Sequence, residues 1–471
     1  MFKLIFVKEL KEIVQSSRFT ISFAVCSILI VLSFFMGAQN YVSSKAQYEA
    51  AVQEGYNQIS ANTEWIGINH SIMLPPEPLM ALVTGISNDI GRDIEMKGRG
   101  ELRAENTRFN DEPIFAIFRF MDLEFIFGVI LSLFAIIFTY DAINGEKVSG
   151  TLKLCFANSV SRASFIAGKL AGSFVGLGLA LLIPLLIGAA ILPLFGITLS
   201  NDEWLRLGLI LLAGLAYFGL FLALTIGISA LTNKPSTSFL ISLVIWIFAV
   251  LIIPRASVLV SGRLVEVPNI DEITAEKSRY RTQLFEDDRP KMANFSAPEG
   301  TEPQKVMQAF SKHMSSLSEE RTSKIQVFEE KINENYNNRK REQERVALAL
   351  SRMSPTSVFS LAITRLAGTS LELQNRYMDS AKEYQKVFAD FMTEKTGSTG
   401  SAGFRMIISS SDDSDEEPET IDASELPNFQ FQKATFGVAA KGSILDLGLL
   451  ILFNLVFFGG AFFAFLKYDL R

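Results

Sequence analysis

The sequence predicts an α-helical polytopic membrane protein with six transmembrane helices, an N-terminal amphipathic elbow helix and a mainly helical extracytoplasmic domain. Three observations carry that reading. The chain has 471 residues, 49% of them hydrophobic and 39 of them Phe, and its mean hydropathy is +0.26. A soluble globular chain rarely pairs such hydropathy with long uninterrupted apolar runs. Six runs approach the roughly 20 helical residues that cross a hydrocarbon core of about 30 Å, the fifth being the shortest. Charge alternates between them. Segments 1–18, 140–169, 232–237 and 467–471 hold eleven Lys/Arg against five acids, a net +6. By contrast, 40–112 has 6 basic residues against 11 acidic ones, and 255–440 has 24 against 29. The positive-inside bias then places both termini in the cytoplasm and two large segments outside.

Residues 1–18 form the elbow, with Phe6, Leu10, Ile13 and Val14 on one face and Lys8, Lys11, Glu12 and Gln15 on the other. A helix of this kind lies among lipid headgroups, with Lys8, Glu9 and Lys11 at the interface. The same residues also fit a plain polar cap of the first span. That span, 19–38, starts late and is followed by no small-residue cleavage site, so it is expected to stay as a membrane helix. The outer segment 39–113 is polar and broken by Pro75-Pro76 and Gly98-Arg99-Gly100, although 41–59 has the composition to continue as helix. The second span, 114–139, opens near Asp122 and Glu124. These carboxylates sit at the interface or face a cavity.

A charged connection, 140–164, leads into the third span, 165–197, which has length to tilt or to kink at Pro184 or Pro193. Asn201, Asp202 and Glu203 provide a helix cap and an acidic first turn for the fourth span, 204–231. Lys234-Pro235 ends that helix before the fifth, 239–253. The large outer domain, 254–443, holds a strongly helical stretch from Pro303 to Arg352, with a break expected near Asn337-Asn338, and a second helix over 376–391. The acidic run within 396–427 lacks the spaced ligands and turn glycine of a calcium loop and reads as a solvated loop. The sixth span is 444–466.

Catalytic signatures are missing. The chain has no GxxxxGK[ST], G-x-S-x-G, H-E-x-x-H or C-x-x-C. Cys26 and Cys155 offer no disulfide framework, and His70 and His313 read as ordinary polar surface residues, so no metal site is expected. The net-basic surface is confined to the inner membrane face, which disfavours nucleic acid as a partner.

The stretch Asp141–Lys169 resembles the permease subunits of bacterial ABC-2-type (type V) ABC transporters. The resemblance rests on Glu146 shortly before Gly150-Thr151-Leu152, then Ser161-Arg162 and Gly168-Lys169 as the next span begins. Lys8-Glu9-Leu10 and the six-span plan also match. The family often has Pro-Val-Ser-Arg where this chain has Ser159-Val160-Ser161-Arg162, which leaves the turn geometry open. Ser354-Pro355 and Arg365-Leu366-Ala367-Gly368-Thr369 resemble a branch with a long extracytoplasmic segment before the last span; Gly368 also suits a left-handed helix cap.

The resemblance implies a non-catalytic chain in the bacterial inner membrane, binding no cofactor itself, with ATP and Mg held by a separate ABC ATPase subunit. Glu146, Gly150, Thr151, Leu152, Ser161 and Arg162 would couple to that ATPase. A second permease chain, identical or related, membrane lipids and a periplasmic partner complete the expected assembly. The activity implied is export, or extraction from the membrane, of a lipid-like or hydrophobic substrate. Two alternatives stay open: a mechanotransmitter acting on a periplasmic partner without transport, and a motor-free receptor or scaffold. On the residues alone, the connection is equally a topogenic loop that only holds orientation.

Overall fold

The computed structural model describes residues 2–65, 68, 70–96, 100, 102–108, 121–157, 160–293, 303–396 and 421–466. The expected first turns of the second span (114–120), Arg99, Ser159, the acidic residues 412–419 and the C-terminal charges at 467–471 lie outside the described residues. Among the described residues, six helices are long and apolar enough to cross a membrane: Ser17–Ser60, Leu123–Val148, Arg162–Leu194, Asn201–Leu231, Pro235–Leu264 and Phe436–Leu466. The protein is an α-helical polytopic membrane protein. Its chain divides into two compact units, Met1–Ile253 with Ser354–Arg471, and Pro254–Met353.

The first unit begins with α1 (Phe2–Val14) and α2 (Ser17–Ser60), separated by a turn in which the Ser16 side chain caps α2 by accepting from the Phe19 N–H. At 44 residues, α2 is about 66 Å long, twice what a bilayer needs. Its far end enters a second hydrophobic core. There Ile59 meets Ile72, Ile94, Tyr377, Tyr384 and Phe388. A small antiparallel sheet lies against that core, with β1 (His70–Met73) paired to β2 (Asp93–Met96) and β2 to β3 (Ala104–Glu105). Strands of four, four and two residues are too short to show a period-2 pattern in the sequence.

The membrane bundle continues with α3 (123–139), the short α4 (Asn144–Val148) and α5 (Thr151–Ala157), then α6 (Arg162–Leu194), α7 (Asn201–Leu231) and α8 (Pro235–Trp246). Ser200 and Glu203 close a capping box at the start of α7, so the cap is Ser200, one residue before the expected Asn201, while Asp202 and Glu203 form the acidic first turn. Wide π-turns at Ile126–Leu131 and Ile247–Ile252 free carbonyls for other partners. The Gly128 oxygen accepts from Tyr217 at 3.1 Å and from Ser132 at 2.7 Å, and the Ala249 oxygen accepts from the Ser354 hydroxyl.

Ser354 caps a helix that crosses nothing. This is α12 (Pro355–Ala367), and it ends at Gly368 with φ 80°, the left-handed cap that the sequence suggests. Its Val358, Phe359, Ala362, Ile363, Leu366 and Ala367 are all fully buried, most of them in one core with the spans. Arg365 reaches the buried Asp446 carboxylate of α14 (Phe436–Leu466) at 2.5 Å and the Gly442 carbonyl at 3.0 Å. Residues 354–396 and 421–435, taken from sequence as part of one outer segment, therefore belong to the first unit. A helix of thirteen residues, five of them polar or charged, is too short to announce a membrane element. Following α12, α13 (Glu372–Thr396) supplies Tyr377 and Tyr384 to the outer core.

His70 corrects an expectation. It is not a plain surface residue: its Nε2 lies 2.9 Å from the Tyr384 hydroxyl, and burial pushes its pKa down to about 4.

The second unit comprises α9 (Ile253–Leu264), α10 (Ile270–Ala293) and α11 (Pro303–Ser351). The last two pair as a hairpin, with Tyr280 stacked on Phe328 and Arg281 bonded to Glu329. The expected break at Asn337-Asn338 does not occur; α11 runs 49 residues unbroken. Both Asn side chains are exposed, where the helix loses only a fraction of a kcal/mol to their propensity, roughly 0.7 kcal/mol at most per residue.

Candidate functional site

Glu146 of the 140–164 connection meets Lys8 and Glu9 of the elbow and the start of α6 at one buried junction, built on glycines. Gly168, Gly172 and Gly176 repeat every four residues on α6, so they form one bare stripe. Into it packs α1. A methyl group on Gly172 would lie 2.8 Å from Glu9 Cβ, and one on Gly168 2.9 Å from Ile5 Cγ2. The docked face is Ile5, Glu9 and Ile13, one turn apart each. The elbow thus runs along the start of α6, and the face expected to meet lipid is only partly the one that is covered.

Close approach brings charge together. Lys169, buried on α6, places Nζ 2.7 Å from Glu9 Oε2 and 2.8 Å from Glu146 Oε1. Lys8 Nζ lies 3.1 Å from the same Glu146 oxygen, and the Ser173 hydroxyl donates to Glu9 at 3.2 Å. Burial raises the Glu9 carboxyl above its ordinary range despite the pull of Lys169. For Lys8, burial works against the charge, but Glu146 and Glu12 together raise its pKa. The quartet alternates in sign and ties α1, α4 and α6. Lys11 stays exposed and outside it.

Other bonds fasten the same connection. Asp141 pairs with Arg18 of α2 at 3.1 Å. The Ile143 and Asn144 N–H groups both donate to the Ser229 hydroxyl of α7 at 3.1 Å. Lys147 donates to the Ala230 and Thr232 carbonyls at 2.7 and 3.0 Å, satisfying the end of α7. Ser161 caps α6 by accepting from the Ser164 N–H, and Arg162 donates to the Leu466 carbonyl of α14 at 2.7 Å. Gly150 turns the chain between α4 and α5 with φ 77°, a left-handed conformation that glycine adopts without strain. Leu152 anchors α5 at 2% exposure beside Ile143, Phe165 and Phe465.

Glu146 and Leu152 therefore face inward. What projects is the tip: Val148 at 68% and Leu154 at 66% exposure, with Ser149, Gly150, Thr151 and Lys153 also exposed. Two exposed aliphatic side chains on a polar corner suit a protein contact.

Asp122 and Glu124 lie elsewhere. Asp122 caps α3, accepting from the Phe125 and Thr84 N–H groups at 3.0 Å each. Glu124 accepts from the Ser360 hydroxyl of α12. Neither carboxylate joins the junction. Sequence reasoning missed Lys169 as its centre and the glycine stripe as its floor, although the four-residue repeat is visible in the chain.

The sequence model of the ABC-2 family transporter proteins matches residues 4–470. Over 129 residues the chain is 31% identical to the probable ABC transporter permease protein NosY of Stutzerimonas stutzeri, covering 26% of this chain and 45% of that protein. The chain thus matches less than half the length of this relative.

Proposed function

The chain belongs to the ABC-2 family of transporter proteins, and on that premise we propose that it is the transmembrane permease subunit of an ATP-driven exporter. A separate ABC ATPase, holding ATP and Mg, docks on the α4–α5 corner through Val148, Gly150, Thr151, Lys153 and Leu154. This chain is non-catalytic and works in a pair with a second permease chain. It sits in the inner membrane with both termini in the cytoplasm, and its substrate is lipid-like or hydrophobic.

The observation that carries the reading is the contrast within the connection. Its tip is exposed, while its base is fixed to α1, α2, α6 and α7 by Lys8, Arg18, Lys169, Ser229 and Lys147. A push at the tip then moves several helices together, because a packed junction shifts as a body instead of deforming. Ser161 and Arg162 extend this reach to α14.

Purification from native membranes tests the docking: the wild type retains an ATPase in stoichiometric amount and Leu154→Glu loses it. A wild type that retains none sinks the reading. ATP-dependent movement of lipid in reconstituted vesicles tests the export step.

A second reading has its own support. Because α2 continues unbroken from the membrane into the outer core, motion of the first span reaches Tyr56 and Ile59 directly. ATPase strokes would then act on a periplasmic partner with nothing transported, and vesicles would show hydrolysis without substrate movement.

A further inference from the structure

The connection from β1 to β2 dips into the bundle. Leu79, Ala81, Leu82 and Val83, in and just after a 3-10 turn over Pro78–Ala81, are buried in the same core as the spans. The Leu123 N–H donates to the Leu82 carbonyl at 2.9 Å, and the Ile86 N–H to the Thr369 carbonyl at 3.0 Å. The Thr369 hydroxyl donates to the Val83 carbonyl at 3.0 Å. Glu77, which opens this turn, is 4% exposed, and Arg206 of α7 is 2% exposed. A methyl group on Gly368, the cap of α12, would lie 3.6 Å from Arg206 Nη1, 3.6 Å from Arg376 Nη2 and 3.7 Å from the Glu77 carboxyl carbon. Three charged groups from three elements thus crowd one backbone position.

Their bonding is incomplete. Arg206 lies 3.9 Å from Glu203, one turn back on α7, and Arg376 lies 3.8 Å from Glu77; both separations exceed a hydrogen bond. Among the described residues, no acceptor meets Arg206 Nε or Nη1, and no donor meets Glu77 Oε1. Buried charges normally close such bonds, because an open one costs the desolvation of its group. Arg206 therefore stands between two carboxylates that compete for it.

We propose that Arg206 is a toggle between Glu77 and Glu203. Paired with Glu77, it clamps the β1–β2 connection to α7. Paired with Glu203, a residue of its own helix, it lets that connection go. The same α7 grips the 140–164 connection through Ser229, about 35 Å away at 1.5 Å per residue. The toggle thus sets whether the outer sheet follows α7. Packed cores change state by discrete re-pairing of this kind, since they do not deform continuously. The proposal rests on the fold alone and holds whether or not an ATPase docks.

The test reads amide hydrogen exchange of residues 77–86 in the full chain, with α6 as internal reference. Glu77→Gln should speed exchange there and Glu203→Gln should slow it, each roughly fivefold, the low end for coupling through one shared element. Gln at 203 keeps the cap of α7, because its side-chain oxygen still accepts from the Ser200 N–H. Adding Arg206→Met should remove the effect of Glu203→Gln. Should that variant fold poorly, Arg206→Lys keeps the charge and should preserve the opposite signs of the two glutamine variants. Faster exchange in both glutamine variants overturns the proposal in favour of a fixed ion cluster. Exchange within twofold of wild type in both overturns it because Arg206 then engages neither carboxylate. Slowing by Glu203→Gln that survives Arg206→Met overturns it because Glu203 then acts by another route.

Discussion

Replacing Lys169 by Met keeps the length and much of the volume of the side chain but removes the cation between two buried carboxylates. Glu9 would keep only its bond from Ser173, and Glu146 only its contact with Lys8, which is itself 45% exposed. Breaking a buried ion pair by removing one partner costs about 3–5 kcal/mol. Two features place this case at the lower bound. Lys8 already neutralises Glu146, and burial has raised the Glu9 carboxyl, so Glu9 can take up a proton instead of remaining charged. A loss of about 3 kcal/mol, felt where α1 docks, shifts its opening equilibrium by roughly two orders of magnitude. Amide hydrogen exchange of residues 2–14 reads this directly. Exchange there should accelerate by about that factor, while the outer core around Tyr377 stays unchanged. Exchange within twofold of wild type would refute the idea that the quartet holds α1. Replacing Glu9, Glu146 and Lys169 together by Met should restore much of the protection, because the cost lies in the stranded charge.

Further expectations concern the remaining junctions. Gly172→Leu drives atoms into Glu9 and should destabilise α1 docking by about 1–3 kcal/mol in the same exchange measurement, whereas Gly178→Leu, with open space at its Cβ position, should not. For His70 the folded pKa of about 4 lies below the ordinary 6.5, so the neutral form is the one the fold prefers. The stabilisation is complete above pH 6.5 and is lost as pH falls towards 4. It amounts to about 3 kcal/mol in denaturant unfolding of the outer core, and His70→Gln should flatten this dependence. Arg365→Met deprives the buried Asp446 of its guanidinium and should lower thermal stability by about 3 kcal/mol, with Asp446→Asn on top of it recovering part of the loss.

The six spans were legible because a run of some 20 apolar residues has few soluble explanations, and the connection was legible because it interrupts two such runs with charge. A local capping rule also sufficed at Gly368, where one φ value decides the turn; at the start of α7 the acidic first turn was legible, but the cap falls on Ser200, one residue before Asn201. Packing partners were harder to read. For α1, the pattern of Phe6, Leu10, Ile13 and Val14 suggested a lipid-facing stripe, yet the glycine groove on α6 selects Ile5, Glu9 and Ile13. An acidic residue on a docking face makes sense only once Lys169 is seen opposite. Likewise α12 is too short to register as a membrane element, and its apolar face was absorbed into an outer domain until its neighbours were known. Asp122 and Glu124 were ambiguous because a carboxylate at a helix start has the same sequence whether it caps a backbone or faces water.

The central claim is that the exposed α4–α5 tip receives the motor. With Cys155 replaced by Ser and Cys26 left in its buried position, Leu154→Cys presents a single accessible thiol at that tip. Treating native membranes with a short bifunctional crosslinker should join this thiol to an ATPase subunit, and the yield should change between nucleotide-free and ATP-bound conditions. A thiol that reacts with small maleimides but crosslinks to no ATPase in either condition would contradict the account.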